Sequence, residues 1–453
     1  MINIILSIIG IIITILLIVG IHEFGHFIVA RALSIKVLKF SIGFGKTLWT
    51  RRDKKGTEYV IAAVPLGGYV KMLDENEEPV AKKELHLAFN NQSILKRTLV
   101  VLAGPLFNFI FAFLIYWAIF VIGFETPAPI IGKVAAKSIA ANAGLKPQDE
   151  VLKINNVEVK SWSNIVMQFA FKIGDDNGMQ FTTKNLKSSS IQQHDLDLEN
   201  WHLNELQPNI LESIGIEPYQ PQIKPIIKYI LDDSPAANAN LQENDLIVAI
   251  NNNPIKNWQE AQKLIKDNPN KTLVFNIKRN AAPLDIKVLI GENGNWFSGS
   301  EGFVGISPSF EWPKDLIRHI QYSPLQAISH ASQNTLDFIK LNFLMLGKML
   351  TGKVSVLSIG GPITIFQSAG DAFITGLLPF ISFIAFLSIA IGVINLLPIP
   401  GLDGGHLLFY LIEFAIKKPL SIRVQNLMFH FGLILLMLLI VQAVANDLMR
   451  LAN

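Results

Sequence analysis

The chain has 453 residues, half of them hydrophobic and only 17% charged, with no cysteine and a formal net charge of +3; its mean hydropathy is +0.37. An average soluble protein carries about 25% charged residues, so the composition argues against an ordinary water-soluble globule, and the near-neutral balance argues against a nucleic-acid partner. Zero cysteines exclude disulfides, iron–sulfur clusters and thiolate metal sites, which leaves His, Asp, Glu and backbone oxygen as the possible metal ligands.

Met1 to Ile21 contains no charged side chain, and about 20 apolar residues at 1.5 Å rise cover a hydrocarbon core of ~30 Å. A membrane helix is therefore expected within residues 1–33. A cleavable signal peptide needs a basic segment ahead of a shorter apolar core, whereas the first basic residue here, Arg31, follows the run. Residues 34–97 form a loop rich in Lys and Arg, in which Phe40 to Gly45 and Glu58 to Val64 favour β-strands. Charge-free stretches at Thr98 to Phe124, Ala372 to Leu402 and Val424 to Asn446 predict further spans at 98–124, 372–402 and 424–447, with a loop at 403–423. His430, in the last of these, reads as a core or interface histidine. Basic residues of short loops favour the cytoplasmic side. The loop 34–97 and the loop carrying Lys417, Lys418 and Arg423 are accordingly expected in the cytoplasm, with both termini and the segment 125–371 outside.

That outer segment repeats itself. Ser138 to Trp162 matches Ser234 to Trp258 at an offset of 96 residues, with 12 identities in 25. Each copy reads as a short Ala-rich helix, an aspartate (Asp149, Asp245), an apolar strand and an Asn-Asn turn. A period this long suits two tandem domains, at 125–221 and 222–310, better than a solenoid. The pattern resembles the PDZ fold, which holds extended peptides by β-augmentation; a pair of spacer modules that bind nothing is the alternative. The polar tract Gly174 to Asn209 reads as an insertion in the first copy. From Trp312 to Lys353 the apolar spacing of Leu336, Ile339, Phe343 and Leu346 predicts helix, and residues 311–371 are read as a helical connector.

At the end of the first apolar run stands His22-Glu23-Phe24-Gly25-His26. On a helix, positions i and i+4 share a face, so both imidazoles reach one metal with Glu23 beside them as a general base. Ionisable residues inside a membrane helix are costly and mark function. Two histidines do not close a catalytic zinc site, which takes three protein ligands and a water. Asn395 to His406, NLLPIPGLDGGH, offers Asp403 or His406, and its prolines and glycines are expected to break the helix at membrane depth, where irregular backbone lines a cavity. Charge counting favours Asp403: zinc, two neutral imidazoles, one carboxylate and one hydroxide sum to zero, the least costly charge in a low dielectric.

Together, HEFGH in the first span, GPLFN (Gly104 to Asn108) in the second, the tandem repeats and NLLPIPGLDGG before the last span resemble the site-2 protease family of intramembrane zinc metalloproteases. The resemblance runs nearly the whole chain. It implies a polytopic α-helical protein of a bacterial inner membrane, with four transmembrane helices, a membrane-associated β region and two PDZ-like α+β domains. In this reading His22, His26 and Asp403 bind Zn2+, Glu23 activates water, and Asn395 handles substrate. The strand region at Gly43, Phe44 and Gly45 clamps unwound substrate. Substrates would be single-pass membrane proteins, such as an anti-sigma factor already cut on its outer side, or leftover signal peptides, with membrane lipid as the other partner. A metal transporter and a catalytically silent PDZ scaffold are the rivals. The transporter lacks a repeated set of intramembrane ligands, and the scaffold has no use for Glu23.

Overall fold

The computed structural model describes residues 2–199, 201–203, 209–293, 301–308, 310, 312–358 and 360–452. Parts of the tract Gly174 to Asn209 and of the second repeat therefore lie outside the described residues. The chain divides into two units: one runs up to Phe124 and resumes at His319, and the other lies between Glu125 and Arg318.

The first unit contains α1 (Ile2–Ala32), α2 (Ile94–Ile122), α3 (Pro324–Leu350), α4 (Pro362–Thr375), α5 (Leu377–Asn395), α6 (Asp403–Ile416) and α7 (Ile422–Ala452). Among the described residues, α1, α2, α5 and α7 are long and apolar enough to cross a membrane. Between apolar helices in lipid the hydrophobic effect gives little, so small residues that let backbones approach carry the packing. Gly25 of α1 meets the Ala103 carbonyl of α2 so closely that a Cβ would overlap it. Farther along α2, Ala112, Tyr116 and Ile119 pack with Ala331 of α3 and with Ala385, Ile389 and Val393 of α5. By contrast α7 leaves Leu427, Phe431, Leu438 and Val441 exposed, an apolar face that suits hydrocarbon. His430 is exposed on it, its Nδ1–H donating to the Asn426 carbonyl at 2.6 Å, and so is not a core histidine. The last turns of α7 hold the bundle: Asp447 accepts from the N–H groups of Gly361 (2.9 Å), Ile363 (2.8 Å) and Thr364 (3.2 Å). It thereby caps α4, whose own N-cap glycine has no side chain to do so.

Two sequence expectations need correction here, and a third gains detail. The charge-free run 372–402 is not one helix: α4 ends at Thr375 and α5 begins at Leu377, while the break expected after Asn395 is present, with 396–402 irregular. Hydropathy does not register helix ends, whereas the Gly376 junction and the two prolines do. Residues 403–416, read as a loop, form α6, with Gly404 and Gly405 in its first turn. The connector 311–371 is two helices, and α4 lies along the start of the first span, with Gly370 against Ser7 and Phe373 against Gly10.

The loop after α1 builds a sheet from two long strands, β1 (Val37–Arg52) and β2 (Glu58–Met72). Both bend, so that Phe40 stands beside Tyr59 on one side and Val70 on the other, while Trp49 returns beside Ile61. Its apolar face packs on α1 and α2 through Val37, Phe27, Ala30 and Val100.

In the second unit the two repeats have the same strand order. The first sheet runs 157–158, 149–154, 179–185, 191–196 and the second runs 253–254, 246–250, 272–279, 282–289. Each repeat also pairs its first and last strands in a separate two-stranded sheet, 131–134 with 216–218 and 227–230 with 306–308. The Asn-Asn turns are built as expected: Asn155, Asn156, Asn251 and Asn252 all have positive φ, as two-residue hairpin turns require. The polar tract 174–209 is not an insertion. It supplies the hairpin Met179–Asn185 and Ile191–Leu196, which the second copy matches strand for strand.

Candidate metal centre

On α1, His22 and His26 lie one turn apart and are buried, their rings 4.8 Å apart and edge to face. They fit because α2 presents Gly104 opposite them. A Cβ at Gly104 would overlap the His26 ring and stand 2.8 Å from His22 Cε1. The same helix orients both rings. Nδ1–H of His26 donates to the Val100 carbonyl at 2.8 Å, and in the neutral ring that leaves Nε2 with its lone pair. His22 Nδ1 lies 3.4 Å from the Asn108 side-chain amide. With the amide nitrogen turned toward the ring, Asn108 Oδ1 is buried without a donor. Turning the amide over lets Oδ1 accept from the Nδ1–H of His22.

Asp403 completes the cluster from the first residue of α6. Its Oδ2 lies 3.1 Å from His22 Nε2 and 3.4 Å from His26 Nε2, and the two Nε2 atoms are 3.2 Å apart. With both rings neutral and protonated on Nδ1 this is a triangle of electron-pair donors, in which Asp403 Oδ2 receives no hydrogen bond. A cation held among the three atoms would satisfy all of them. Ligands at about 2.0–2.1 Å from a tetrahedral zinc stand about 3.3–3.4 Å from one another, so the donor set fits zinc in both chemistry and spacing. Among the described residues this is the group of His and carboxylate side chains suited to a metal; His406, the other candidate, is exposed on α6 beside Phe409.

Asp403 owes its place to close backbone contacts. The Leu396 and Leu397 carbonyls press on Gly404, and Pro400 presses on Gly432 of α7, each leaving no room for a Cβ. Asn395, the last residue of α5, is half-buried and leads directly into this segment. Glu23 faces the sheet. A Cβ at Gly68 of β2 would lie 3.0 Å from Glu23 Cγ, and the Val70 backbone N–H bonds its carboxylate. Of the expected clamp residues, Gly43 and Gly45 have positive φ, and Phe44, 45% exposed, stacks on Tyr69 at 6.1 Å and covers Gly67, the neighbour of Gly68. The strand region and the histidine turn are thus adjacent.

Sequence reasoning missed the roles of Gly104 and Asn108. The available signal was a polar residue deep in an apolar span, four positions after a glycine.

Peptidase family M50 matches residues 10–439. The chain is 42% identical to the regulator of sigma-E protease RseP of Escherichia coli over 96% of each chain. It is 39% identical to a regulator of sigma E protease of Haemophilus influenzae, over 97% of this chain and 98% of the other. It is also 36% identical to a protein of Vibrio cholerae named as a proposed zinc metalloprotease, over 99% and 100%. With a family match across nearly the whole length and a histidine–carboxylate cluster among its membrane-length helices, the chain belongs to peptidase family M50, the site-2 proteases, and is a zinc metalloendopeptidase.

Proposed function

We propose that the chain hydrolyses peptide bonds of single-pass membrane proteins within the bilayer, at a zinc ion held by His22, His26 and Asp403. The observation that carries this reading is the triangle of ligand atoms from His22, His26 and Asp403 set among helices of membrane length. Zinc, when bound, supplies Lewis-acid polarisation and a nucleophile at neutral pH. Glu23, on the same helical turn, takes the proton from the attacking water and returns it to the leaving amine. Val100 and Asn108 orient the imidazoles, as partners of metal-bound histidines do. Asn395 donates its amide to the developing oxyanion. An intact substrate helix shields its amides, so the scissile segment must be extended; β1 and β2, around Gly43, Phe44 and Gly45, hold it in that form beside Glu23.

The names of the relatives support a place in a sigma-E type envelope stress response. The substrate is then an anti-sigma factor whose outer part has been removed by a first protease, with remnant signal peptides as a further class. The modules at 125–221 and 222–310 are PDZ-like domains facing the periplasm, as are both termini, and the loops rich in Lys and Arg face the cytoplasm. Supporting a peptide-binding role, the second module has a cavity of about 250 Å³ between helix Trp258–Lys266 and strand Glu301–Phe303, lined by Trp258, Ile265 and Val304.

Purified wild type and Glu23→Gln, compared for zinc content and for cleavage of a single-span test substrate, test the reading. Zinc is expected in both and cleavage only in the wild type. Undiminished cleavage by the variant, or none by zinc-loaded wild type across several single-span substrates, would sink it. A transporter would instead move zinc across vesicles irrespective of Glu23.

A further inference from the structure

At the end of α6 remote from Asp403 lies a cavity of about 530 Å³, unconnected with the metal centre in its lining. Its walls come from Ile94 and Arg97 in the first turn of α2, from Glu413 and Phe414 of α6, and from Lys417 and Lys418 just beyond α6. Charge is distributed unequally. Glu413, 4% exposed, is fully engaged: Oε2 accepts from Arg97 Nη2 at 2.9 Å and Oε1 from the Leu420 N–H at 3.0 Å. Arg97, whose guanidinium also lies over the Tyr410 ring at 4.7 Å, is thereby neutralised. Lys417 and Lys418 are exposed and bring two uncompensated positive charges to a cavity whose other walls include the apolar Ile94, Phe414, Ala415 and Pro419.

Position decides what such a cavity takes. Ile94 begins one membrane-length helix, and Ile422, four residues past Lys418, begins another. Both chains leave hydrocarbon at this level, so the lysines stand at headgroup height while the apolar wall faces the acyl chains. A free anion would gain from the lysines and nothing from Phe414 and Ile94. Basic pockets between membrane helices suit anionic headgroups, each Lys or Arg being worth about a fivefold gain in affinity. We infer that this cavity is a binding site for an anionic phospholipid, its phosphate headgroup on Lys417 and Lys418 and its first methylenes on Phe414 and Ile94.

Full-length protein in a neutral detergent is titrated with phosphatidylglycerol and with phosphatidylcholine, and bound lipid is counted by native mass spectrometry. The variants are Lys417→Gln/Lys418→Gln and Ala415→Trp, all at exposed positions. Phosphatidylglycerol is expected to bind in preference to phosphatidylcholine, to bind about 30-fold more weakly to the double-lysine variant, and to be displaced from the Ala415→Trp variant, whose indole fills the cavity. Millimolar inorganic phosphate should leave it bound. Equal binding of the two lipids by wild type, wild-type affinity in the double-lysine variant, or displacement by inorganic phosphate would each overturn the proposal.

Discussion

His22 and His26 stand on an unbroken helix, and each ring is oriented by a separate partner on α2. Asp403 stands on the first residue of a helix that follows the irregular segment 396–402, and its metal-facing oxygen meets only the two imidazoles. The histidine half is thus positioned by side-chain hydrogen bonds and a gap at Gly104. The aspartate half is positioned by backbone pressed on backbone at Gly404 and Gly432. Hydrogen-bonded orientation fixes which atom carries a lone pair, while backbone contact fixes only where the atom is. The two halves should therefore fail differently.

The largest failure is expected at Gly104. Gly104→Leu places a side chain where the His26 ring lies, so zinc and activity should both be lost; a full zinc complement in the folded variant would break the account of the histidine half. Next comes Asn108. Removing the partner of a metal-bound histidine typically costs about 10–100-fold in metal affinity, and Asn108→Ala should fall in that range in a chelator competition. Asn108→Asp, which keeps an acceptor for Nδ1–H, should lose less. If the aspartate variant is the weaker of the two, the amide orientation argued above is wrong. Smaller still is Gly432→Ala, whose methyl overlaps the Pro400 carbonyl. Overpacking costs about 1–3 kcal/mol, shared here between α7 and the Asp403 segment, so affinity should fall by less than tenfold with the histidine tautomers unchanged by NMR.

The smallest effect lies where α1 meets the sheet. Arg31 pairs with Asp53 at 2.8 Å. Burial pushes the Asp53 carboxyl up, but the N–H groups of Thr57 and Lys55 and the Arg31 guanidinium outweigh it and hold the carboxyl below the usual carboxylate range. A lowered native value stabilises the fold above the unfolded pKa of about 3.9 and loses that contribution as pH falls through the native value. Hydrogen exchange at Thr57 should then be insensitive to this group from pH 8 to 5, once intrinsic rates are corrected, and should quicken only in stronger acid. Asp53→Asn should show modestly faster exchange throughout. Loss of protection in the wild type already at pH 6 would exclude the Asp53 origin.

Legibility followed the range of the interactions. The His22–His26 pair was readable because four residues make one helical turn whatever surrounds it, and the Asn-Asn turns because asparagine tolerates positive φ. Asp403 came within reach through charge balance, although the contact between α1 and α6 is not encoded locally. Gly104 and Asn108 act through α1–α2 packing; a polar residue in an apolar span marks Asn108, but its partner on α1 is not encoded locally. The break at Gly376 was hidden because an apolar run looks continuous on both sides of it. The hairpin 179–196 was missed because its buried positions include Thr183 and His194, which satisfy each other at 3.1 Å and so erase the apolar alternation that marks a strand.

The choice of third ligand is where the account is most exposed. Zinc measured per chain in purified Asp403→Ala and His406→Ala, against wild type, addresses it directly. The account predicts near-complete loss of zinc from Asp403→Ala and a wild-type complement in His406→Ala. Retention by the first and loss from the second would contradict it.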